Sequence, residues 1–403
     1  MIKAISITNF RGFAGSNITL DKELTILVGK NNAGKSTLIE ALRIVSLVII
    51  RLQNPKFVDP PMWLDSNMDK GITPSLQSLS ISNKNIFYLY NADNHAIIEV
   101  QFSNNVKIKI FINNDLQVFA QIQSSNNRHI TNAKMLKIES IPTINILPQI
   151  SPLLEEEKII KDKTLVANLF TRLTSRHFRN QIYKFNGSFT TFKELSEKTW
   201  FGLQITEPNY NDRVTADNLS LMVRDGVFTA EVAQMGHGLQ MWLQTMWFLS
   251  RCDKDSVVIL DEPDVYMHAD MQRKLIRLLK GKFKQVIVAT HSVEIISDVE
   301  ADNILPIDKS ASKQKYATSS KIVQQTINNI GSIHNLDLAR LSSANKVIFT
   351  EGPKEDIDIL GIFHSKLYPQ SVYPLCNIPH VNTKGWSGWQ RVCGAVDVFL
   401  QKR

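Results

Sequence analysis

LTILVGKNNAGKSTLIEALRIVSLVII, residues 24–50, decides the fold. Its first five residues are mostly apolar and rich in β-branched side chains and run straight into Gly29, the pattern of a buried strand that ends in a loop. Residues 36–50 read as a buried helix. Between them stands Gly29-Lys30-Asn31-Asn32-Ala33-Gly34-Lys35-Ser36-Thr37, which fits G-x-x-x-x-G-K-[ST] with the strand and helix that this motif requires on either side. Glycines let such a loop wrap an anion with its N–H groups turned inward, and the following helix adds the positive end of its dipole. The expected ligand is ATP with Mg²⁺. Lys30, Asn31, Asn32, Ala33 and Gly34 would cradle the phosphates. Lys35 would reach the β- and γ-phosphates, Ser36 would ligate Mg²⁺, and Thr37 completes the turn.

Two further strands support this reading. SVVIL, residues 256–260, leads into Asp261-Glu262-Pro263, and QVIVAT, residues 285–290, leads into His291. Both runs are almost continuously apolar, as expected of parallel strands covered on both faces. Ligands of open parallel sheets sit at the carboxyl ends of the strands, so three strand ends are expected to converge. Asp261 would hold Mg²⁺ through water. Glu262 would orient or deprotonate the attacking water, and His291 would contact the γ-phosphate.

The rest of the chain is consistent with a multi-lobed globular protein. It has 403 residues, 43% of them hydrophobic and 21% charged, which excludes a disordered polymer. Its three cysteines, Cys252, Cys376 and Cys393, are too few and too scattered for a disulfide framework or a zinc site, which points to a cytoplasmic setting. The opening MIKAISITNF lacks a signal pattern. The stretch 38–50 contains Glu40 and Arg43 and is too short to span a membrane. The net charge of +8 favours contact with polyanions such as nucleic acid. Two basic clusters are candidates for it: Arg172, Arg176, His177, Arg179 and Lys184; and Lys274, Arg277, Lys280, Lys282 and Lys284. The bland alternative for each is a solvated helix face.

Strands are expected at 2–9, 96–102, 106–112 and 116–122, a proline- and asparagine-rich excursion at 54–85, and a hairpin turning at Asp225-Gly226. Residues 310–321, SASKQKYATSSK, read as a polar, mobile segment.

Taken in order, these motifs resemble ABC-type ATPases, specifically the branch containing RecF, SMC and OLD proteins. ITNFRGF is similar to the first strand of that branch, where the following arginine, here Arg11, lies near the adenine. DEPDVYMHADMQRKL is similar to the run after the acidic strand in the OLD group. The resemblance covers residues 1–50 and 219–310. It implies a signature contact before the acidic strand, at Gln234-Met235-Gly236-His237-Gly238-Leu239-Gln240. Gly238 would be the matching glycine, and Gly236 stands where the family has serine. With no hydroxyl there, contact with the γ-phosphate of an opposite subunit would rest on backbone N–H groups and His237. The implied assembly is a head-to-tail dimer of ATPase heads. The glutamine that follows the first lobe is either Gln101 or Gln149.

KVIFTEG, residues 346–352, resembles the start of a Toprim fold. Glu351 matches the glutamate of its first strand, whereas Asp356 and Asp358 lie in the following helix and do not replace the later Asp-x-Asp pair. A nuclease centre is therefore expected to be incomplete here, in a domain either vestigial or cut short. Together these features most resemble the PtuA ATPases of Septu and retron-associated anti-phage defence. That resemblance implies a PtuB-like HNH nuclease as partner and, in the retron version, a reverse transcriptase and its DNA. The alternatives are an OLD-type ATPase–Toprim nuclease lacking its last strands, and a RecF- or SMC-like DNA-binding repair ATPase.

The expected architecture is an α/β, two-lobed ABC-type head with an inserted helical lobe and an incomplete Toprim-like piece. Its parts are an ATPase lobe with the phosphate loop at 1–145, a helical insertion at 146–216, a second ATPase lobe at 217–340 and the Toprim-like piece at 341–403.

Overall fold

The computed structural model describes residues 1–79, 86–169, 172–207, 209–210, 218–329, 348–350, 354–368, 378 and 380–382. They fall in two compact units, Met1–Ile330 and Gly331–Arg403.

The first unit opens with β1 (Ile2–Phe10), β2 (Phe13–Thr19) and β3 (Leu24–Val28), then α1 (Lys35–Arg51). After an irregular excursion come β4 (Ala96–Phe102), β5 (Lys107–Ile112) and β6 (Val118–Gln123), the one-turn helix α2 (Ala133–Leu136) and β7 (Ile144–Leu147). A mixed lobe follows: β8 (Glu157–Lys158), α3 (Asp162–Asn168), α4 (Phe178–Lys184), α5 (Phe189–Thr199), β9 (Leu203–Ile205), β10 (Asn209–Tyr210), β11 (Asn218–Ser220), β12 (Met222–Asp225) and β13 (Phe228–Glu231). The chain then returns to α/β alternation with α6 (His237–Ser250), β14 (Val257–Asp261), α7 (Ala269–Leu279), β15 (Gln285–Ala289), α8 (Val293–Ser297), β16 (Ile304–Pro306), β17 (Lys313–Gln314) and α9 (Ser320–Asn329).

Two sheets enclose the main core. One has the order β17-β2-β1-β4-β5-β6 and the other β16-β3-β15-β14-β7. Every pairing in the second is parallel, and β3, β14 and β15 are apolar and buried along almost their whole length. Such strands need cover on both faces. α1 supplies it on one: its Leu38, Leu42, Val45, Val48 and Ile49 are buried and share one apolar cluster with residues of both sheets. A helix apolar nearly all round belongs in a core. Its one buried hydroxyl, Ser46 Oγ, is satisfied by donating to the Ile144 carbonyl at 2.7 Å. No described helix is long and apolar enough to cross a membrane.

The structure corrects two expectations. Residues 310–321, expected to be mobile, include an ordered strand: β17 pairs in parallel with β2. Gln314 is buried there, its amide donating to the carbonyls of Asp308 and Ala311 and to Ser16 Oγ. Tyr316 hydrogen-bonds Thr25 at 2.8 Å. Polar residues stay ordered when their donors find partners inside the fold. The first basic cluster also loses its central member. Arg179 is fully buried and donates to Glu231 through Nε (2.7 Å) and Nη2 (2.6 Å), with Glu157 at 3.4 Å from Nη1. It is a structural cation and is not offered to nucleic acid.

In the second unit β18 (Ile348–Thr350) and β19 (His380–Asn382) pair in parallel, with α10 (Lys354–Leu367) between them in sequence. Glu351, Cys376 and Cys393 lie outside the described residues, as do the side chains of Asp356 and Asp358.

Candidate nucleotide site

The parallel sheet brings four carboxyl-terminal strand ends into one place. β3 ends in the phosphate loop, β14 in Asp261 and Glu262, β15 in Thr290 and His291, and β7 in the segment carrying Gln149. Two hydrogen bonds align the edges: Glu262 N–H donates to the Ala289 carbonyl at 2.9 Å and Thr290 N–H to the Leu27 carbonyl at 3.2 Å.

Lys30, Asn31 and Asn32 are exposed, Ala33 is half-buried, and Gly34 and Lys35 are buried. Asn32 (φ 63°) and Gly34 (φ 114°) take left-handed backbone angles, which curl the loop before α1 begins. At Gly34 a Cβ would lie 2.9 Å from Phe13 Cζ, so both conformation and space call for glycine. Ser36 is exposed at the start of α1 and Thr37 half-buried beside it.

Lys35 is the centre of the site. Its Nζ donates to the Gly29 carbonyl at 3.0 Å and approaches the Lys30 carbonyl at 3.4 Å and His291 Nε2 at 2.7 Å. Burial lowers its pKa, against the opposing pull of Glu262, Asp261 and Asp264. Burial also lowers the pKa of His291, and the Lys35 charge adds to this while Glu262 opposes it. A neutral imidazole with Nε2 as acceptor suits the lysine contact. Glu262 Oε1 lies 3.6 Å from the same nitrogen. Glu262 itself has φ 49°, an unusual backbone angle for a residue with a Cβ and one that recurs at functional sites.

Three further residues join the site, Gln149, Asp264 and Lys309, and only the first is a candidate by sequence. Gln149, not Gln101, reaches the site: its Nε2 donates to Glu262 Oε2 at 3.2 Å. Gln101 instead lies in β4, opposite Ala4 and Lys107 in the antiparallel sheet. The signal for Gln149 was its place just after a short apolar strand, INIL. Asp264 is tied to β15 by the Thr290 hydroxyl at 2.5 Å, and its pKa is raised mainly by burial. Lys309 donates its backbone N–H to the Ala33 carbonyl at 2.9 Å. Its side chain passes over Gly12 and Gly34. It follows β16, another strand ending at this edge, but lies in a segment without a motif.

The outlying residues are less closely gathered. Arg11 (φ 49°) pairs with Glu40 of α1 at 2.6 Å, which holds it against the helix that follows the phosphate loop. Gly236 is the N-cap of α6 and has no capping side chain. Gly236 and His237 are exposed and Gly238 half-buried. The His237 ring packs edge-on against Tyr266 with centroids 5.5 Å apart, so the signature segment adjoins the loop that follows Glu262. Among the described residues no hydrogen bond or ion pair joins 236–238 to the phosphate loop.

The donor set fits a nucleoside triphosphate with Mg²⁺: a glycine cradle, a buried ammonium, an exposed serine hydroxyl and carboxylates at the end of β14 in the same sheet. Mg²⁺ favours a few carboxylate and hydroxyl oxygens completed by water and phosphate.

Residues 24–297 match the family described as "AAA domain, putative AbiEii toxin, Type IV TA system". No curated protein matches the chain. Among solved structures, the chain is similar to an Smc head bound to the C-terminal winged-helix domain of ScpA, at 16% identity and TM-score 0.49, over 80% of this chain and 99% of that one. It is similar to an Smc head with an extended coiled coil bound to the C-terminal domain of ScpA, from Pyrococcus furiosus, at 16% identity and TM-score 0.49, over 82% and 99%. A third is the SMC head domain of Thermotoga maritima, at 13% identity and TM-score 0.42, over 79% and 99%.

Proposed function

The chain belongs to this AAA-domain family of P-loop ATPases, and from that premise we propose that it is the ATP-hydrolysing regulatory subunit of an anti-phage defence complex, controlling a partner HNH nuclease. The observation that carries the ATPase half is the convergence of Lys35, Gln149, Glu262 and His291 at one sheet edge. The defence half is supported by the DEPDVYMHAD run and by a family description that names a toxin of a toxin–antitoxin system.

In this reading ATP enters over the phosphate loop, and Lys35 exchanges its contacts with Gly29, Lys30 and His291 for phosphate oxygens. His291, released from the lysine and neutral, is then positioned to sense the γ-phosphate. Gln149 holds the Glu262 carboxylate, which orients a water for in-line attack and accepts its proton. Ser36 and Asp261 would hold Mg²⁺, which neutralises charge on the phosphates when bound. Gly236, His237 and Gly238, exposed at the start of α6, would serve the opposite head of a head-to-tail pair.

The test is affinity capture of the full chain from its native host, with bound proteins and nucleic acids identified. An HNH nuclease, with or without a reverse transcriptase and its DNA, is the expected companion. Recovery of the ATPase alone, under conditions that preserve complexes, would overturn the defence-complex reading and favour a self-contained nuclease or a DNA clamp.

A further inference from the structure

Away from the nucleotide site, a cavity of about 180 Å³ lies between the end of β7 and α6. Leu147, Ile150, Leu169, Phe178, Trp247 and Phe248 form its apolar wall. An apolar space of about 150 Å³ is enough to hold a benzene molecule, so this one accepts a single ring. Pro148 and Ile150 line it on either side of Gln149 in sequence.

One cation enters the wall. Arg251 follows the last turn of α6 and its guanidinium lies 5.0 Å from the Trp247 ring centroid. Nη2 donates to Gln181 Oε1 at 3.3 Å and Nε to the Trp247 carbonyl at 3.4 Å. Both bonds are long, and Gln181 Oε1 already accepts from Trp247 Nε1 at 3.1 Å. Among the described residues no carboxylate pairs with Arg251. Arg179 of α4 shows the contrast: it is answered by two glutamates. Burial pushes the Arg251 pKa down to about 10, which leaves it charged at neutral pH. Arg251 is half-buried, and a guanidinium partly withdrawn from water without a counter-ion gains from an anion that meets it. The indole face holds the guanidinium in place, so it is arranged in advance for a planar carboxylate.

We propose that this cavity binds a small carboxylic acid with a single-ring apolar body, the carboxylate meeting Arg251 and the ring filling the wall formed by Leu147, Phe178 and Trp247. The volume suits a body of one ring, and among the described residues no carboxylate competes with the anion for Arg251.

The experiment is a calorimetric titration of the full chain with benzoate, run without nucleotide so that its outcome does not depend on the ATPase reading. Benzylammonium, of similar ring and opposite charge, is the comparison. Benzoate is expected to bind at least about tenfold more tightly than benzylammonium, the scale of a charge-assisted hydrogen bond. Arg251→Met is expected to remove that preference. Equal binding of the two probes by the wild-type chain, no heat from either, or a preference that survives in folded Arg251→Met would each overturn the proposal. The charge comparison uses the unmodified protein, so it holds even if the variant fails to fold.

Discussion

His291 stands between two opposite charges. Lys35 Nζ is 2.7 Å from its Nε2 and Glu262 Oε1 3.6 Å from the same atom, yet burial is the stronger influence and its pKa falls below the ordinary 6.5. The folded chain therefore holds fewer protons at this site than the unfolded chain once the pH drops below about 6.5, the ordinary histidine value. Stability must decline with falling pH there and level off below the depressed pKa. His291→Gln removes this contribution. Urea unfolding from pH 7.5 to pH 5 should show a shallower acid-side decline in the variant; parallel curves would contradict the assigned shift. At Lys35 the expected effect concerns binding. Lys35→Ala removes the buried ammonium and should weaken ATP binding by about 100-fold or more, the scale of losing hydrogen bonds to a charged group. Wild-type affinity in a fluorescent-nucleotide titration would refute the phosphate-loop assignment.

Elements carry different constraints. The turn from β3 into α1 depends on Gly34, where φ is 114° and an added Cβ would lie 2.9 Å from Phe13 Cζ. Gly34→Ala should cost about 1–3 kcal/mol of stability through strain alone, measured as a lower urea midpoint at unchanged slope. In the mixed lobe, Arg179→Met would leave Glu157 and Glu231 without their cation. Burial already raises the Glu157 pKa, and breaking a buried pair typically costs about 3–5 kcal/mol. A loss below about 1 kcal/mol would show that the network is not structural. These two elements also mark what sequence can show. β3, β14 and β15 announce themselves because a fully buried strand is a continuous apolar run ending in functional residues. The strands β8 to β11 have two or three residues each, too few for a period-two pattern, so that region read as helical. β17 was hidden for another reason: its order comes from Gln314 bonding to Asp308, Ala311 and Ser16, partners that composition does not reveal. Gln149 was one of two open candidates, and only the pairing of β7 with β14 brings it to Glu262.

At the scale of the whole molecule, the exposed start of α6 and the phosphate loop belong to the same unit, yet no described hydrogen bond or ion pair joins them. Head-to-tail pairing would supply the missing neighbour from a second chain. Glu262→Gln, which keeps the side-chain shape and removes the base, should hold ATP and double in mass by light scattering when ATP and Mg²⁺ are added. An unchanged mass with ATP bound would count against pairing.

The most direct test of the central claim is steady-state ATP hydrolysis by the wild-type chain and Glu262→Gln at matched nucleotide saturation. The converging strand ends predict hydrolysis by the wild type and a fall of about 100-fold or more in the variant, the scale of a lost general base. Hydrolysis at an undiminished rate by Glu262→Gln would contradict it.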